Sequence, residues 1–441
     1  MSTLQTSQHS HGNQLDLRTF ILGVSNGAVY MAARACIDPE MLLPAFAIQM
    51  MAGNVVWVGM ISTLFAAGWF WPQIIVARYL ETRTHLMPTY LASVVVRCTC
   101  AALIPVAVYY WGPARPQLAF VSASLLLFAL ASAGGFGLVP FMSVVHDAIP
   151  ARWLGKFFGL RYLFGGLLSF AAGLWIKDTL SADSASTFPS NYALVFAMGA
   201  ALMIIAAMFF SAVRERPRIP ARRALPLRMH LVRAMRMIRD DANMRRLAKS
   251  RALYGASAGL SFPFVIPLAI KVLGMPVAAV GLLLSLKVLS YTVTNVLWSH
   301  ISDTHGNRRQ LIVSSAMVLL VPLLTIAAPL FSDTVMFHAL ALAWTPQLLV
   351  IAAACMAVGA AMSGQPLGFN AFLVEILPTR RRMTFLGVFH LMLLPTAAVP
   401  LLGALLIGSA DRFALGMCLA AVCGIVMVWE ILRLHEVRED R

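Results

Sequence analysis

Charged residues are scarce in this chain. Only 12% of its 441 residues are Asp, Glu, Lys or Arg, whereas a soluble domain carries about 25%. Hydrophobic residues make up 60% of the chain, and the mean hydropathy is +0.79. Water therefore cannot be the solvent for most of the molecule, which excludes a soluble enzyme or a soluble binding domain.

Several chemical motifs are also missing. The six cysteines show no metal-ligand spacing, so we expect small buried apolar residues and no metal site. No Gly-x-x-x-x-Gly-Lys-Ser/Thr loop occurs, so no ATP-driven step and no cofactor are predicted. The first seventeen residues lack the apolar core of a cleavable signal peptide.

What is present is a series of long apolar runs without alternation. In lipid every backbone amide must be satisfied within the segment, so such runs predict helices and not a barrel. The length accommodates about twelve spans of ~20 residues. We predict an all-α integral membrane protein with twelve transmembrane helices in two six-helix bundles. The predicted spans are 19–38, 54–77, 87–110, 117–142, 157–176, 191–213, 252–270, 275–298, 310–330, 340–372, 384–408 and 412–432.

The net charge of +16 is distributed as an orientation signal. Most Lys and Arg residues fall in the termini and in every second connection. The other connections hold only Arg115, Lys177, Lys271 and Arg412. This bias places both termini and the central loop in the cytoplasm of a bacterial inner membrane. It explains the basic excess without a nucleic-acid partner.

The chain divides into two halves that repeat one design. Residues 1–17 form a predicted cytoplasmic tail, 18–213 a first bundle, and 214–251 a basic linker with an amphipathic helix. Residues 252–433 form a second bundle, and 434–441 a second tail. The stretch from Asp147 to Gly159 aligns with Glu375 to Gly387, with acid, Pro, Arg, Phe and Gly matched without a gap. Internal repeats of this kind place a substrate site near the bilayer midplane between the halves.

The most specific motif is the stretch from Ser299 to Arg309, where Asp303, Gly306 and an arginine pair lie between two apolar runs. It resembles the Gly-x-x-x-Asp-x-x-Gly-x-Arg signature of the major facilitator superfamily, with Ser299 in place of the first glycine. The corresponding hairpin of the first half has Glu81 for the acid but lacks the glycine and the arginine. The resemblance implies alternating access, in which two bundles rock about a central site.

The same resemblance implies a gate on the cytoplasmic side. Asp303 would contact the start of span 5 near Gly155, and Glu81 the start of span 11 near Met383, because a carboxylate stabilises a helix N-terminus. Gly306 would permit the tight turn. The gating residues expected from the resemblance and the repeat are Asp303, Gly306, Arg308, Arg309, Glu81, Asp147, Arg152, Glu375 and Arg380.

Charges inside the spans point to substrate. An arginine or lysine at the centre of a span costs about 2.5–3.5 kcal/mol, so it is a functional hypothesis by default. Arg34 and Lys287 are predicted to bind an anion, and Asn26 and Tyr30 share a helix face with Arg34. All acids fall in loops, tails or span ends, so the interior is expected to hold no buried carboxylate. Further predicted substrate residues are Tyr254, Ser257, Gln365 and His390.

Two more arginines lie within predicted spans. Arg97 is central in span 3, which is usually a peripheral helix in the superfamily, so a structural pairing and a functional role both stay open. Arg161 lies within a turn of the cytoplasmic end of span 5, and we assign it to the gate.

The sequence thus predicts a monomeric secondary transporter that moves a small organic anion and contacts membrane lipids. Three alternatives stay open. The first is a non-transporting receptor or assembly protein on the same scaffold, which a measured flux would exclude. The second is a multidrug exporter, whose motifs are not found. The third is a membrane enzyme acting on lipids, for which His146-Asp147 is the adjacent His–Asp pair.

Overall fold

The structure is a computed structural model that describes residues 16–80, 83–213, 215, 232, 235–236, 238–376, 394–408 and 412–436. Its long elements are α-helices. In the first half these are α1 Leu17–Ala35, α2 Leu42–Met50, α3 Val55–Phe70, α4 Pro72–Leu80, α5 Met87–Trp111, α6 Pro116–Ala148, α7 Ala151–Thr179 and α8 Ser190–Ser211. In the second half they are α9 Ala242–Ser261, α10 Val265–Lys271, α11 Ala279–His305, α12 Asn307–Ala327, α13 Pro346–Ile376, α14 Val399–Ile407 and α15 Phe413–Leu432.

Within the described residues, nine helices are long and apolar enough to cross a membrane, and the chain is an integral membrane protein. They are α5 to α8, the continuous segment Ala242–Lys271, α11, α12, α13 and α15. Segments 55–70 and 394–407 are shorter apolar helices. The predicted spans 19–38 and 54–77 coincide with α1 and with α3 plus α4, and span 384–408 lies partly outside the described residues. The number twelve therefore stays a prediction.

Local sequence signals set several helix starts. Asp16 caps α1, because its carboxylate accepts from the backbone N–H of Arg18 at 3.1 Å and from the Thr19 hydroxyl at 2.6 Å. Asn54 caps α3 and Asp241 caps α9 in the same way, at 3.0 Å to Val56 N and Met244 N. Such caps satisfy N–H groups that have no partner within the helix.

Two predicted spans differ in the structure. Span 340–372 is predicted as one segment that is long enough to contain a break or a tilt. In the structure Phe337–Ala339 pairs with Leu342–Trp344 in an antiparallel hairpin, and α13 begins only at Pro346. The aromatic rings of Phe337 and Trp344 stack at 5.7 Å and stabilise the hairpin as a cross-strand pair. A pattern of apolar residues alone does not distinguish a short hairpin from the end of a helix.

Span 7 begins earlier than predicted and is interrupted. Helix α9 starts at Ala242, inside the predicted linker 214–251. A 3-10 turn over Phe262–Phe264 separates it from α10, and Pro263 explains the interruption because proline cannot donate a backbone hydrogen bond. The predicted amphipathic linker helix lies largely outside the described residues.

The helices run alternately in two directions, which defines two sides of the molecule. We call the side where α1 begins and α15 ends the terminal side. The opposite side, which carries the α1–α2 connection and the hairpin, is the distal side. Helices of each half pack mostly on one another. The most extensive packing between the halves is that of α7 with α11 and of α3 with α14. Small residues permit these crossings: a side chain at Gly59 would meet Pro400 O and Leu401, and one at Gly166 would meet Thr292.

Helix α2 is a short wedge on the distal side. Leu42, Leu43 and Phe46 are fully buried, and the helix packs against α3 and α6 of the first half and α10 and α11 of the second half. The Phe46 ring contacts the rings of Phe120, Tyr192 and Phe196 at 5.3–6.1 Å. The connection between the first two predicted spans therefore seals the distal side between the halves.

Polar contacts between the halves concentrate on this distal side. Lys177 donates to Leu340 O at 2.9 Å, and Lys271 donates to Gly53 O. Ser285 of α11 donates to Phe170 O of α7 at 2.9 Å. On the terminal side, a Cβ atom added at Gly155 or Gly159 of α7 would have no other atom within 4 Å. In the part of the chain that is described, these polar contacts between the halves thus lie on the distal side, and Gly155 and Gly159 on the terminal side have free space around them.

Candidate functional site

The interior of the described helices holds arginines packed on aromatic rings. They are Arg34 of α1, Arg97 of α5, Arg161 of α7 and Arg251 of α9. Each lies within 6.0 Å of a ring centroid, a geometry in which the ring quadrupole attracts the guanidinium. Among the described residues none of the four forms an ion pair with a carboxylate. The four arginines differ in how far neighbouring acids balance their positive charge.

Arg34 lies in the last turn of α1, above Phe65 at 5.7 Å and Trp69 at 6.0 Å. Its electrostatic neighbours include Asp38 and Glu40. The predicted role of Arg34 in binding substrate stays a prediction, and its charge is partly balanced by the two acids that follow α1.

Arg97 is 8% exposed, and its guanidinium lies 4.9 Å from the Tyr30 ring centroid. The sequence does not decide between a structural and a functional role for Arg97, because its span is expected to be peripheral. The Nε atom is buried without a hydrogen-bond partner. Tyr30 and Tyr90 are its nearest electrostatic neighbours, so the pocket contains phenol rings and no described carboxylate.

Arg161 crosses from α7 to α1. Its Nη1 donates to Gly23 O at 3.1 Å and to Asn26 Oδ1 at 3.2 Å, and its guanidinium lies 4.7 Å from the Phe141 ring. Gly27 makes this position possible, since a side chain there would overlap the Arg161 stem and Nε. The sequence assigns Arg161 to the gate, and in the structure its side chain is half-buried and packs against α1.

Arg251 was missed, because the sequence boundary at 252 counted it among the basic residues of the linker. The early start of α9 makes it part of span 7. Its guanidinium lies 4.9 Å from Tyr254 and 5.0 Å from Phe369, and Nη1 is buried without a hydrogen-bond partner. Helical continuity of residues 242–261 with the apolar run was the available signal.

Lys287 corrects the expectation of an interior without a buried carboxylate. Its ammonium lies 2.5 Å from Asp38 and 2.7 Å from Glu40. Asp38 is 7% exposed and Lys287 is 4% exposed. The acids follow α1 in the sequence and were counted as loop residues, but the wedge α2 folds them back against α11. Lys287 is held by the protein's own acids, so it is a poor candidate for binding substrate charge.

Three other predicted substrate residues form hydrogen bonds between helices. Asn26 donates to Ala206 O at 2.6 Å, and Ser257 donates to Ala420 O at 2.9 Å. Gln365 donates to the hydroxyls of Ser314 at 2.8 Å and Ser315 at 3.0 Å. Tyr30 and Tyr254 lie beside Arg97 and Arg251 as described above. His390 lies outside the described residues.

The predicted gate is partly described. Gly306 has φ +87° and links α11 to α12, and Arg308 donates to Leu432 O at 2.7 Å. Asp303 and Arg309 are exposed. In the described part of the chain no hydrogen bond or ion pair joins Asp303 to the start of α7, and a Cβ atom added at Gly155 would have no described neighbour within 4 Å. Asp147 and Arg152 flank the α6–α7 turn, and Glu375 lies in the last turn of α13. Glu81 and Arg380 lie outside the described residues.

No protein-family model and no curated protein matches the chain. Solved structures do match. A mutant of the nucleoside transporter NupG superposes with a TM-score of 0.71 at 11% identity, over 95% of this chain and 100% of that chain. A bacterial homologue of the iron transporter ferroportin in an inward-facing state gives 0.67 at 11%, over 96% and 99%. A D-xylose-proton symporter gives 0.66 at 12%, over 94% and 97%.

These superpositions cover nearly the whole chain, and they show its fold. The protein has the fold of major facilitator transporters, as the Ser299–Arg309 motif led us to expect. At this level of identity the likeness concerns the backbone alone, and the solute has to be inferred from the side chains of this chain.

Proposed function

We propose that this protein is a secondary transporter that moves a small organic anion across the membrane by alternating access between its two halves. The fold supports transport, because the similar structures are of nucleoside, iron and sugar transporters. The proposed driving force is an ion gradient or solute exchange. We further propose that the terminal side faces the cytoplasm, in line with the distribution of Lys and Arg.

The anionic character of the solute follows from the balance of buried charge. Arg34 and Lys287 are matched by Asp38 and Glu40, so this cluster is close to neutral. Arg97, Arg161 and Arg251 have no carboxylate partner in the described part of the chain. Uncompensated cations in a membrane interior are costly, and a bound anion would supply the missing charge through charge-assisted hydrogen bonds. These three guanidiniums are the observation that carries the proposal.

The test is solute flux in proteoliposomes with an imposed membrane potential and pH gradient. We expect uptake or counterflow of small organic anions, absent from empty liposomes and reduced by Arg251→Gln. Equal-sized cations and neutral solutes serve as the comparison. A preference for cations would contradict the charge argument, and the absence of flux for every class would favour a receptor on the same scaffold.

A further inference from the structure

The first half contains two guanidiniums that lie against neighbouring turns of α1: that of Arg97 is 4.9 Å from the Tyr30 ring centroid, and that of Arg161 donates to Gly23 O and Asn26 Oδ1. Arg97 comes from α5 and Arg161 from α7, and each is an electrostatic neighbour of the other. Tyr30 of α1 and Tyr90 of α5 are neighbours of both. Like charges repel strongly in a medium of low dielectric constant, so the protein holds together two groups that destabilise one another unless an anion lies between them.

Specific contacts fix the position of Arg161. Gly27 leaves the space that the Arg161 stem occupies, and Gly23 O and Asn26 Oδ1 fix one nitrogen of its guanidinium. Asn26 is itself held, because its amide donates to Ala206 O of α8. Three helices therefore set the direction of one arginine, which is the arrangement expected of a pre-organised binding group.

Both arginines keep donors for a ligand. The Nη1 atom of Arg161 is engaged with α1, and no described residue accepts from its Nε or Nη2. Nε of Arg97 is buried without a hydrogen-bond partner, which is costly unless a ligand supplies an acceptor. The Tyr90 hydroxyl oxygen accepts a hydrogen bond from Arg97, and the phenol protons of Tyr30 and Tyr90 add two neutral donors. The two formal charges are of the same sign.

We propose that Arg97 and Arg161 form a recognition site for a doubly charged anionic group, either a phosphate monoester or the paired carboxylates of a short dicarboxylic acid. This inference rests on the proposed function and deepens it, because it assigns the charge of the solute and the half of the protein that binds the charged group. Two guanidiniums match a dianion in charge and present planar forks to its oxygens. A monoanion would leave one of the two cations unbalanced.

Thermal stability of the purified full-length protein tests this at constant ionic strength, with chloride as the balancing ion. The probes are glycerol 3-phosphate and succinate as dianions and butyrate as the monoanion, at pH 8. We expect a saturable rise in melting temperature with at least one dianion and none with butyrate. Glycerol 3-phosphate and succinate distinguish the phosphate source from the dicarboxylate source.

Arg97→Gln and Arg161→Gln should weaken the dianion by about tenfold to a hundredfold, the range for hydrogen bonds to charged groups. Arg115→Gln removes an exposed arginine on the distal side and should leave the affinity unchanged. If a glutamine variant does not fold, Arg97→Lys keeps the charge and loses the fork, and it should still weaken binding. Gly27→Ala should do the same with both charges present, because it displaces Arg161.

Two results would overturn the inference: no saturable effect of either dianion on the wild-type protein, or equal affinity in wild-type and Arg97 and Arg161 variants. If either result is obtained and liposomes still show flux of a monoanion, the proposed transport of anions stands and only the dianion site is excluded. Flux of cations alone would instead remove the anion proposal itself, so the two failures are distinguishable.

Discussion

The Lys287 ammonium of α11 lies 2.5 Å from the Asp38 carboxylate and joins the second half of the molecule to the first. Glu40 accepts from the same ammonium at 2.7 Å. The two acids lie just before α2, the wedge helix that is buried between the halves. The ion cluster therefore has to break whenever the halves separate on the distal side, as alternating access requires.

Lys287→Ala is expected to destabilise the distal closure. It leaves Asp38 and Glu40 with only Arg34 as a neighbouring cation, and removing one partner of a buried pair costs about 3–5 kcal/mol. We expect the distal side to open in preference to global unfolding, which exposes Cys36, now fully buried beside Asp38. The measurement is labelling of Cys36 by an impermeant maleimide in a variant that lacks the other five cysteines.

The control for this experiment removes one carboxylate together with the ammonium, as Glu40→Gln with Lys287→Met. Asp38 then keeps Arg34 as its neighbouring cation, so labelling of Cys36 should return most of the way to the wild-type rate. If Lys287→Ala leaves labelling unchanged and instead abolishes binding of an anion, then Lys287 is the substrate residue that the sequence predicted.

Gly59 is expected to control how closely α3 approaches α14. A side chain at this position would meet Pro400 O at 2.5 Å and Leu401 Cα at 2.9 Å, both on the opposite half. Gly59→Ala should increase labelling of Cys36 and lower transport, and Gly59→Val should do so more strongly. Gly159→Ala, which adds a methyl group in open space, is the control for labelling and melting temperature. Equal labelling in all four proteins would show that this crossing does not limit the distal side.

Asp303 is expected to act only in the conformation that closes the terminal side. In this structure it is exposed, so Asp303→Asn should change the free energy of unfolding by less than about 0.5 kcal/mol, as surface substitutions usually do. Transport should nevertheless fall, because the carboxylate would stabilise a helix N-terminus when the halves meet. The measurement pairs thermal unfolding with initial rates in proteoliposomes. A rate equal to wild type would remove Asp303 from the gate.

Gln365 is expected to stabilise the packing of α12 on α13. Its amide donates to Ser314 and Ser315, and hydrogen bonds between membrane helices contribute about 0.6–1.7 kcal/mol. Gln365→Leu should lower the free energy of unfolding by an amount in this range and leave the affinity for the solute within twofold. Ser363→Ala is a comparison on the same helix, where the hydroxyl accepts from Trp298 Nε1 at 3.0 Å. A tenfold loss of affinity with unchanged stability would restore the sequence-based assignment of Gln365 to the solute site.

Much of the fold could be predicted from the sequence. Long apolar runs require helices in lipid, and a turn glycine with an acid and two arginines identifies the hairpin between α11 and α12. The break at Pro263 was also predictable, because proline lacks the donor that a continuous helix needs. The hairpin before α13 was not, since its apolar residues resemble those of the adjoining span.

The residue types of the candidate site could be predicted from the sequence, but which cation pairs with which acid could not. Cations inside apolar segments are visible in the sequence, and Arg34, Arg97, Arg161 and Lys287 were all recognised there. Which of them is neutralised depends on contacts between residues far apart in the chain. Asp38 is separated from Lys287 by more than half of the chain, and only the folding of α2 against α11 brings them together.

Local sequence is enough to place this chain in a membrane as helices, because the hydrophobic effect and backbone hydrogen bonding act on every segment separately. The balance of buried charges, in contrast, exists only in the folded molecule. Electrostatic energy in a medium of low dielectric constant depends on distances of a few ångströms between side chains, and those distances are set by how the helices cross.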